Sequence, residues 1–181
     1  MLKKKYIEVI YLIFIGCATS LSLPPYNYLI INFFTFSALF IFLFKKSNNT
    51  HNKKISFFYG WLFGFGYFFS SLYWISISLT FDQNFKFLIP LIIFLIPAFL
   101  AIFYGTVAMC FVIFRPKKII SSFFTFSLIF GIFEFIRGSI LTGFPWNLIA
   151  YSFSKHLEIL SITSIIGTYG FNLFCISLFV S

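Results

Sequence analysis

The feature that most constrains this chain is a succession of apolar runs, each near the length a bilayer demands, cut by short polar or basic stretches. A helix rises about 1.5 Å per residue, so roughly 20 apolar residues cross a hydrocarbon core about 30 Å thick. Six such runs follow one another, at about 6–23, 28–44, 55–79, 87–114, 119–141 and 159–181. With 60% of its 181 residues apolar and only 9% charged, the chain carries more apolar surface than a soluble core can bury. The expected fold is all-α and polytopic, about six transmembrane helices in a single domain over residues 1–181, with no soluble domain.

The net charge of +9 would suit a nucleic-acid partner if the cations were spread over one surface, but they cluster between the runs. Successive loops alternate sides of the membrane. Lys3, Lys4, Lys5, Lys45, Lys46, Lys53, Lys54, Arg115, Lys117 and Lys118 then share one side, and only Lys86 and Lys155 fall on the other. That imbalance predicts a cytoplasmic N-terminus in a multi-pass protein of the plasma (inner) membrane and excludes a nucleic-acid partner. It also places the turns near Pro24, Asp82 and Pro145 outside.

Between the runs the punctuation is legible. Pro24 and Pro25 make a tight connection, because proline lacks a backbone donor and disfavours helix in its predecessor. Lys45 to Lys54 is a solvated basic loop, and His51 carries no implied mechanism. Gly60 and Gly64 share one face of the third run, where a second helix can approach closely, and internal packing is the preferred reading. Tyr73 and Trp74 suit an interfacial aromatic belt or the wall of a lipid cleft. Pro90 and Pro97 should kink or shorten the fourth run near its start. The first run resembles a secretory signal, with F-I-G-C around Cys17 like a lipoprotein cleavage box; bulky Phe14 and the five following runs favour a retained span. Cys17, Cys110 and Cys175 all lie in apolar runs, so neither disulfides nor a nucleophile is expected. With His51 and His156 isolated, neither a metal nor a cofactor is expected.

The fifth run breaks the pattern. It contains Glu134 and Arg137, three apart on one helix and close enough to pair along one face. An unpaired charge at mid-membrane costs about 3 kcal/mol, so both should face the bundle interior. Glu134 lies about 10 Å from the outer end, and Arg137 is near enough to snorkel. A functional role and a structural ion pair that fixes helix rotation both remain open. Thr142, Gly143, Phe144, Pro145, Trp146 and Asn147 then stop the helix and present Trp146 at interface depth. Trp146 is either a belt residue or, with Phe144 and Asn147, part of a surface that receives an acyl chain or lipid headgroup.

Four segments together resemble the membrane part of the bacterial apolipoprotein N-acyltransferases: L-P-P-Y at Leu23 to Tyr26, Gly64 to Leu79, F-E-F-I-R-G-S-I-L-T-G-F-P-W-N-L-I-A-Y at Phe133 to Tyr151, and I-G-T-Y-G-F-N at Ile166 to Asn172. E-x-x-R-G followed by T-G-F-P-W is the most specific. The resemblance implies membrane helices that hold a nitrilase-like domain at the outer bilayer surface. The substrates it implies are a phospholipid acyl donor and a diacylglyceryl lipoprotein, whose N-terminal amine is acylated through a cysteine thioester assisted by glutamate and lysine. It also implies that Trp146, matching the motif tryptophan, lies near the active-site mouth.

That triad has no counterpart in this sequence. No cysteine falls in an exterior loop, and the only acids and lysines there are Asp82, Glu158, Lys86 and Lys155. No catalytic residue is therefore assigned. The expectation is the membrane portion of such an enzyme, truncated or half of a split enzyme with a separate nitrilase-like chain, and inactive alone. Two alternatives stand beside it: a non-catalytic lipid- or lipoprotein-binding module, and a small transporter using Glu134 and Arg137.

Overall fold

The computed structural model describes residues 2–49, 52–81, 83–140 and 143–180. His51, Asp82 and Thr142, named above, lie outside the described residues. Eight α-helices follow in order: α1 (Leu2–Ser20), α2 (Ile30–Asn49), α3 (Lys53–Ser71), α4 (Ile75–Ser78), α5 (Ile89–Phe114), α6 (Ile119–Ser139), α7 (Leu157–Leu160) and α8 (Thr163–Val180). Short 3-10 helices occupy Gln83–Leu88 and Ile149–Phe153, and no strand occurs among the described residues. The chain is therefore all-α.

Among the described residues four segments are long and apolar enough to cross a membrane: Ile30–Asn48, Lys86–Phe114, Ile119–Ser139 and Thr163–Val180. The other two long helices fall short for different reasons. Lysines and Glu8 crowd the start of α1, whereas glycine, serine and tyrosine dilute the apolar character of α3. These two helices nonetheless belong to the same bundle, because α3 packs between α1 and α5.

Small residues explain that packing. Lipid is as apolar as a helix surface, so close backbone contact rather than water exclusion must hold membrane helices together. Gly60 faces the Tyr104 carbonyl and Ala108 of α5, and Gly64 faces the Tyr104 side chain, so a methyl at either would collide. On the other side of α3, Gly66 abuts the Ile13 carbonyl, and Gly16 of α1 abuts the Phe63 carbonyl. Beyond these contacts aromatic rings fill the interior. Phe36, Phe63, Phe111, Phe126, Phe130 and Phe179 are buried, and Tyr104 meets Phe130 edge-on at 4.8 Å between centroids.

The helices begin and end where the sequence offers caps and stops. Asn52 caps α3, its side-chain oxygen accepting from the backbone N–H of Lys54 and Ile55 at 3.1 and 3.2 Å. The third run, expected to continue to Leu79, stops as helix at Ser71. There the Ser70 and Ser71 hydroxyls donate back to the Gly66 and Tyr67 carbonyls, a back-bonding that slightly destabilises a helix end. Pro90 sits in the first turn of α5, where its missing N–H costs nothing, and only Pro97 lies inside the helix. In α8 the backbone breaks at Gly167, with φ 75° and ψ 162°.

All the long helices alternate direction, which sorts the connections to two ends. One end gathers the lysines of α2 and α3 with Arg115, Lys117 and Lys118; the other gathers the turns at Pro24, Trp74 and Pro145.

Candidate functional site

The site is built around the end of α6. Glu134 and Arg137 lie one turn apart there, with side chains 1% and 0% exposed. Arg137 Nε donates to Glu134 Oε1 at 3.1 Å and Nη2 to Oε2 at 2.8 Å, a two-pronged pair that lysine cannot form. The remaining nitrogen, Nη1, donates to the carbonyls of Phe144 and Trp146 at 2.7 and 2.9 Å. The guanidinium also stands 5.3 Å from the Phe68 ring centroid. Every nitrogen of the buried cation is thus partnered, and the pair ties the helix end to the turn that follows it.

The turn needs that anchor because its backbone is unusual. The helix stops at Ile140, which is extended, and Gly143 follows at φ 78°, a conformation glycine adopts without strain. The Phe144 N–H donates back to the Arg137 carbonyl at 3.2 Å. Asn147 is also left-handed at φ 62°, and its carbonyl accepts from the Tyr67 hydroxyl at 2.7 Å. Arg137 and Tyr67 therefore hold alternate parts of one short turn in place from below.

From Asn147 to Glu158 the sequence is mixed in composition and reads as a loop, and within it Ile149, Ala150, Ser152 and Phe153 form a buried 3-10 turn. Asn172 of α8 accounts for the fold inward, because its side-chain oxygen accepts from the Ala150 N–H at 2.9 Å. A polar residue in the last apolar run was the available signal for this contact. Tyr67, on the glycine-bearing run, was equally unmarked as a site residue.

These elements enclose a cleft of about 630 Å³ at the end opposite the lysines. Its walls come from the end of α1 and the following prolines, from the end of α3 through Tyr73 and Trp74, and from Pro145 to Ser154. Trp146 is exposed along one side, with its ring 5.7 Å from that of Trp74. Asn147 lines the same cleft, but Phe144 does not; its side chain points into a second recess against α5. The Ser154 hydroxyl donates to Asn27 Oδ1 at 2.9 Å and closes the rim. Burial, followed by the nearby Tyr169, raises the pKa of the Tyr151 phenol above its ordinary value, so it remains protonated and able to donate.

No acid, histidine or cysteine is among the cleft-lining residues. Ser20, Ser70 and Ser71 line it, but each hydroxyl donates to a backbone carbonyl of its own helix. The arrangement can hold an apolar chain beneath a polar rim; it offers no activated nucleophile.

Fold and site together define an all-helical membrane bundle with a largely apolar cleft of about 630 Å³ opening at its less basic end. The chain matches the apolipoprotein N-acyltransferase N-terminal domain over residues 15–180, and it belongs to that family. Among curated relatives, the apolipoprotein N-acyltransferase of Allorhizobium ampelinum is 31% identical over 172 residues, covering 92% of this chain and 32% of the relative. That of Rhodopseudomonas palustris is 32% identical over 169 residues, covering 92% of this chain and 31% of the relative. That of Rickettsia prowazekii is 41% identical over 138 residues, covering 76% and 27%. The chain thus spans about a third of the length of the curated relatives it matches.

Proposed function

We propose that this chain is the membrane part of an apolipoprotein N-acyltransferase, crossing the bacterial inner membrane six times with α1 and α3 included, and that its cleft holds lipid for acyl transfer. The donor is a phospholipid, and the acceptor is the N-terminal amine of a diacylglyceryl lipoprotein. The observation that carries the reading is the cleft itself: an apolar recess beside Trp74 and Trp146, whose turn is fixed by a fully partnered buried cation.

In this reading the bond-making groups come from a nitrilase-like domain, with a cysteine forming the thioester, a glutamate as base and a lysine facing the oxyanion. Trp146 and Asn147 stand at the mouth where the acyl chain passes between the two parts. The present chain supplies binding and orientation. Alone it leaves lipoprotein amines free.

The test is expression in cells depleted of their own N-acyltransferase, with lipoprotein N-termini followed by mass spectrometry. N-acylation is expected when this chain is supplied together with a nitrilase-like partner or domain, and not when it is supplied alone. Acylation by the chain alone would reveal a nucleophile among the residues read here as structural.

The engagement of the cleft's Ser20, Ser70, Ser71 and Ser154 hydroxyls within the protein supports a second reading, a lipid- or lipoprotein-binding module without chemistry. Lipid binding by the isolated chain, with no acylation under either condition, would favour it. A transporter is less well supported, because both carboxylate oxygens of Glu134 and every nitrogen of Arg137 are committed within the protein.

A further inference from the structure

The turn held by Arg137 separates two recesses. Pro145 and Trp146 face the cleft already described. On the opposite side Phe144 faces a groove of about 460 Å³ between α5 and the end of α6, whose walls include Leu95, Ile96, Phe99 and Ile140. Adjacent residues of one turn thus line different cavities, and Arg137, which holds the turn, lines the second of them.

We propose that this groove receives one acyl chain of a diacyl phospholipid whose other chain lies in the first cleft, with the Phe144–Trp146 turn as the divider between them. The inference rests on the reading of the first cleft as a lipid site and adds how a two-chain lipid is seated.

Chemistry and shape both select hydrocarbon. Among the described lining residues the one charged side chain is Arg137, and all three of its nitrogens are already engaged, so none of these residues can hold a headgroup. The groove follows α5 from Leu95 to Phe103, about 12 Å along the helix, in the direction that chains take in a bilayer. The α5 segment is also the most apolar of the four candidate crossing segments, with mean hydropathy 2.7 and only 22% of it buried, so its open face suits lipid.

Built recognition must be distinguished from ordinary lipid contact, and α5 carries its own controls. Leu95 in the groove is 57% exposed and Leu91 outside it 55%; Phe99 in the groove is 46% exposed and Ile102 outside it 44%. The bulk bilayer should touch the members of each pair equally.

The experiment reconstitutes the full chain in nanodiscs of phosphatidylethanolamine and phosphatidylglycerol, doped with phosphatidylethanolamine bearing a diazirine on each chain. After irradiation, adducts are mapped by peptide mass spectrometry. Leu95 and Phe99 are expected to be labelled several-fold above Leu91 and Ile102, and single lipid molecules are expected to join α5 peptides to peptides containing Trp74 or Trp146. Ile96→Trp, which fills the groove, should lower labelling at Leu95 and Phe99 several-fold while leaving that at Trp74. Equal labelling within each control pair, or labelling of both recesses with no joined peptides, would overturn the two-chain seat while leaving the first cleft a lipid site. Background labelling at Trp74 and Trp146 would instead overturn the underlying reading.

Discussion

Glu134 and Arg137 pair near one end of the bundle, and Glu8 and Lys46 pair near the other. At the basic end Lys46 Nζ lies 2.6 Å from Glu8 Oε1, the Tyr59 hydroxyl donates to Oε2 at 2.7 Å, and the two charged side chains keep 29% and 11% of their exposure. The ammonium also faces the Phe42 and Tyr59 rings at 5.7 and 5.5 Å. Water and counterions can share in that pair's solvation. At the cleft end the charged side chains are 0% and 1% exposed, so every compensation must come from the protein. The difference teaches which pair shapes the molecule. A pair that water can replace tethers α1 to α2, whereas one that nothing can replace dictates the path of the chain beyond α6.

Substitutions should separate the pairs sharply. Arg137→Ala strands Glu134 in the interior and frees the Phe144 and Trp146 carbonyls; a loss of about 3–5 kcal/mol is expected in unfolding titrations in detergent micelles. Arg137→Lys keeps the charge but cannot reach the carboxylate and both carbonyls together, and should lose about 2 kcal/mol. Its lipid binding, read by native mass spectrometry, should fall with it. Tyr67→Phe removes one hydrogen bond to the turn and should cost about 1 kcal/mol. Lys46→Ala should cost under about 1 kcal/mol, and less still in high salt. A Lys46→Ala loss equal to that of Arg137→Ala would break the comparison. Trp146→Ala should leave stability within about 0.5 kcal/mol, as expected of an exposed side chain, while weakening retention of phospholipid.

Much of the architecture was legible because apolar length is a direct reading of bilayer thickness. The crossing segments on α2, α5, α6 and α8 coincide with long apolar runs. Gly60 and Gly64 were legible as a packing face, although not as one meeting Tyr104 in particular. Less visible were features that depend on a distant partner. Glu8 looked like an interruption of the first run, because Lys46 and Tyr59 lie 38 and 51 residues away. Asn147 to Glu158 is mixed in composition, and the residue that ties Ala150 into the interior, Asn172, lies 22 residues beyond it. In the site, the spacing of Glu134 and Arg137 suggested a mutual contact, but the bonds from Arg137 to two backbone carbonyls leave no trace in residue type. The same turn separates Phe144 from Trp146, which the sequence groups together.

The glycine contacts between α1 and α3 determine how the cleft can breathe. Gly16 and Gly66 bring the two backbones into direct touch, leaving no layer of side chains that could slide or tilt. Two walls of the cleft, at the ends of these helices, are therefore a fixed frame. The third wall, from Pro145 to Ser154, is tied to that frame by the Tyr67–Asn147 and Ser154–Asn27 hydrogen bonds and to the rest of the bundle by the Arg137–Trp146 and Asn172–Ala150 hydrogen bonds. Only at the rim, where Ser154 meets Asn27 through one hydrogen bond, is release a small free-energy step, and lateral pressure from the surrounding bilayer should part this rim before it shifts the frame or the turn.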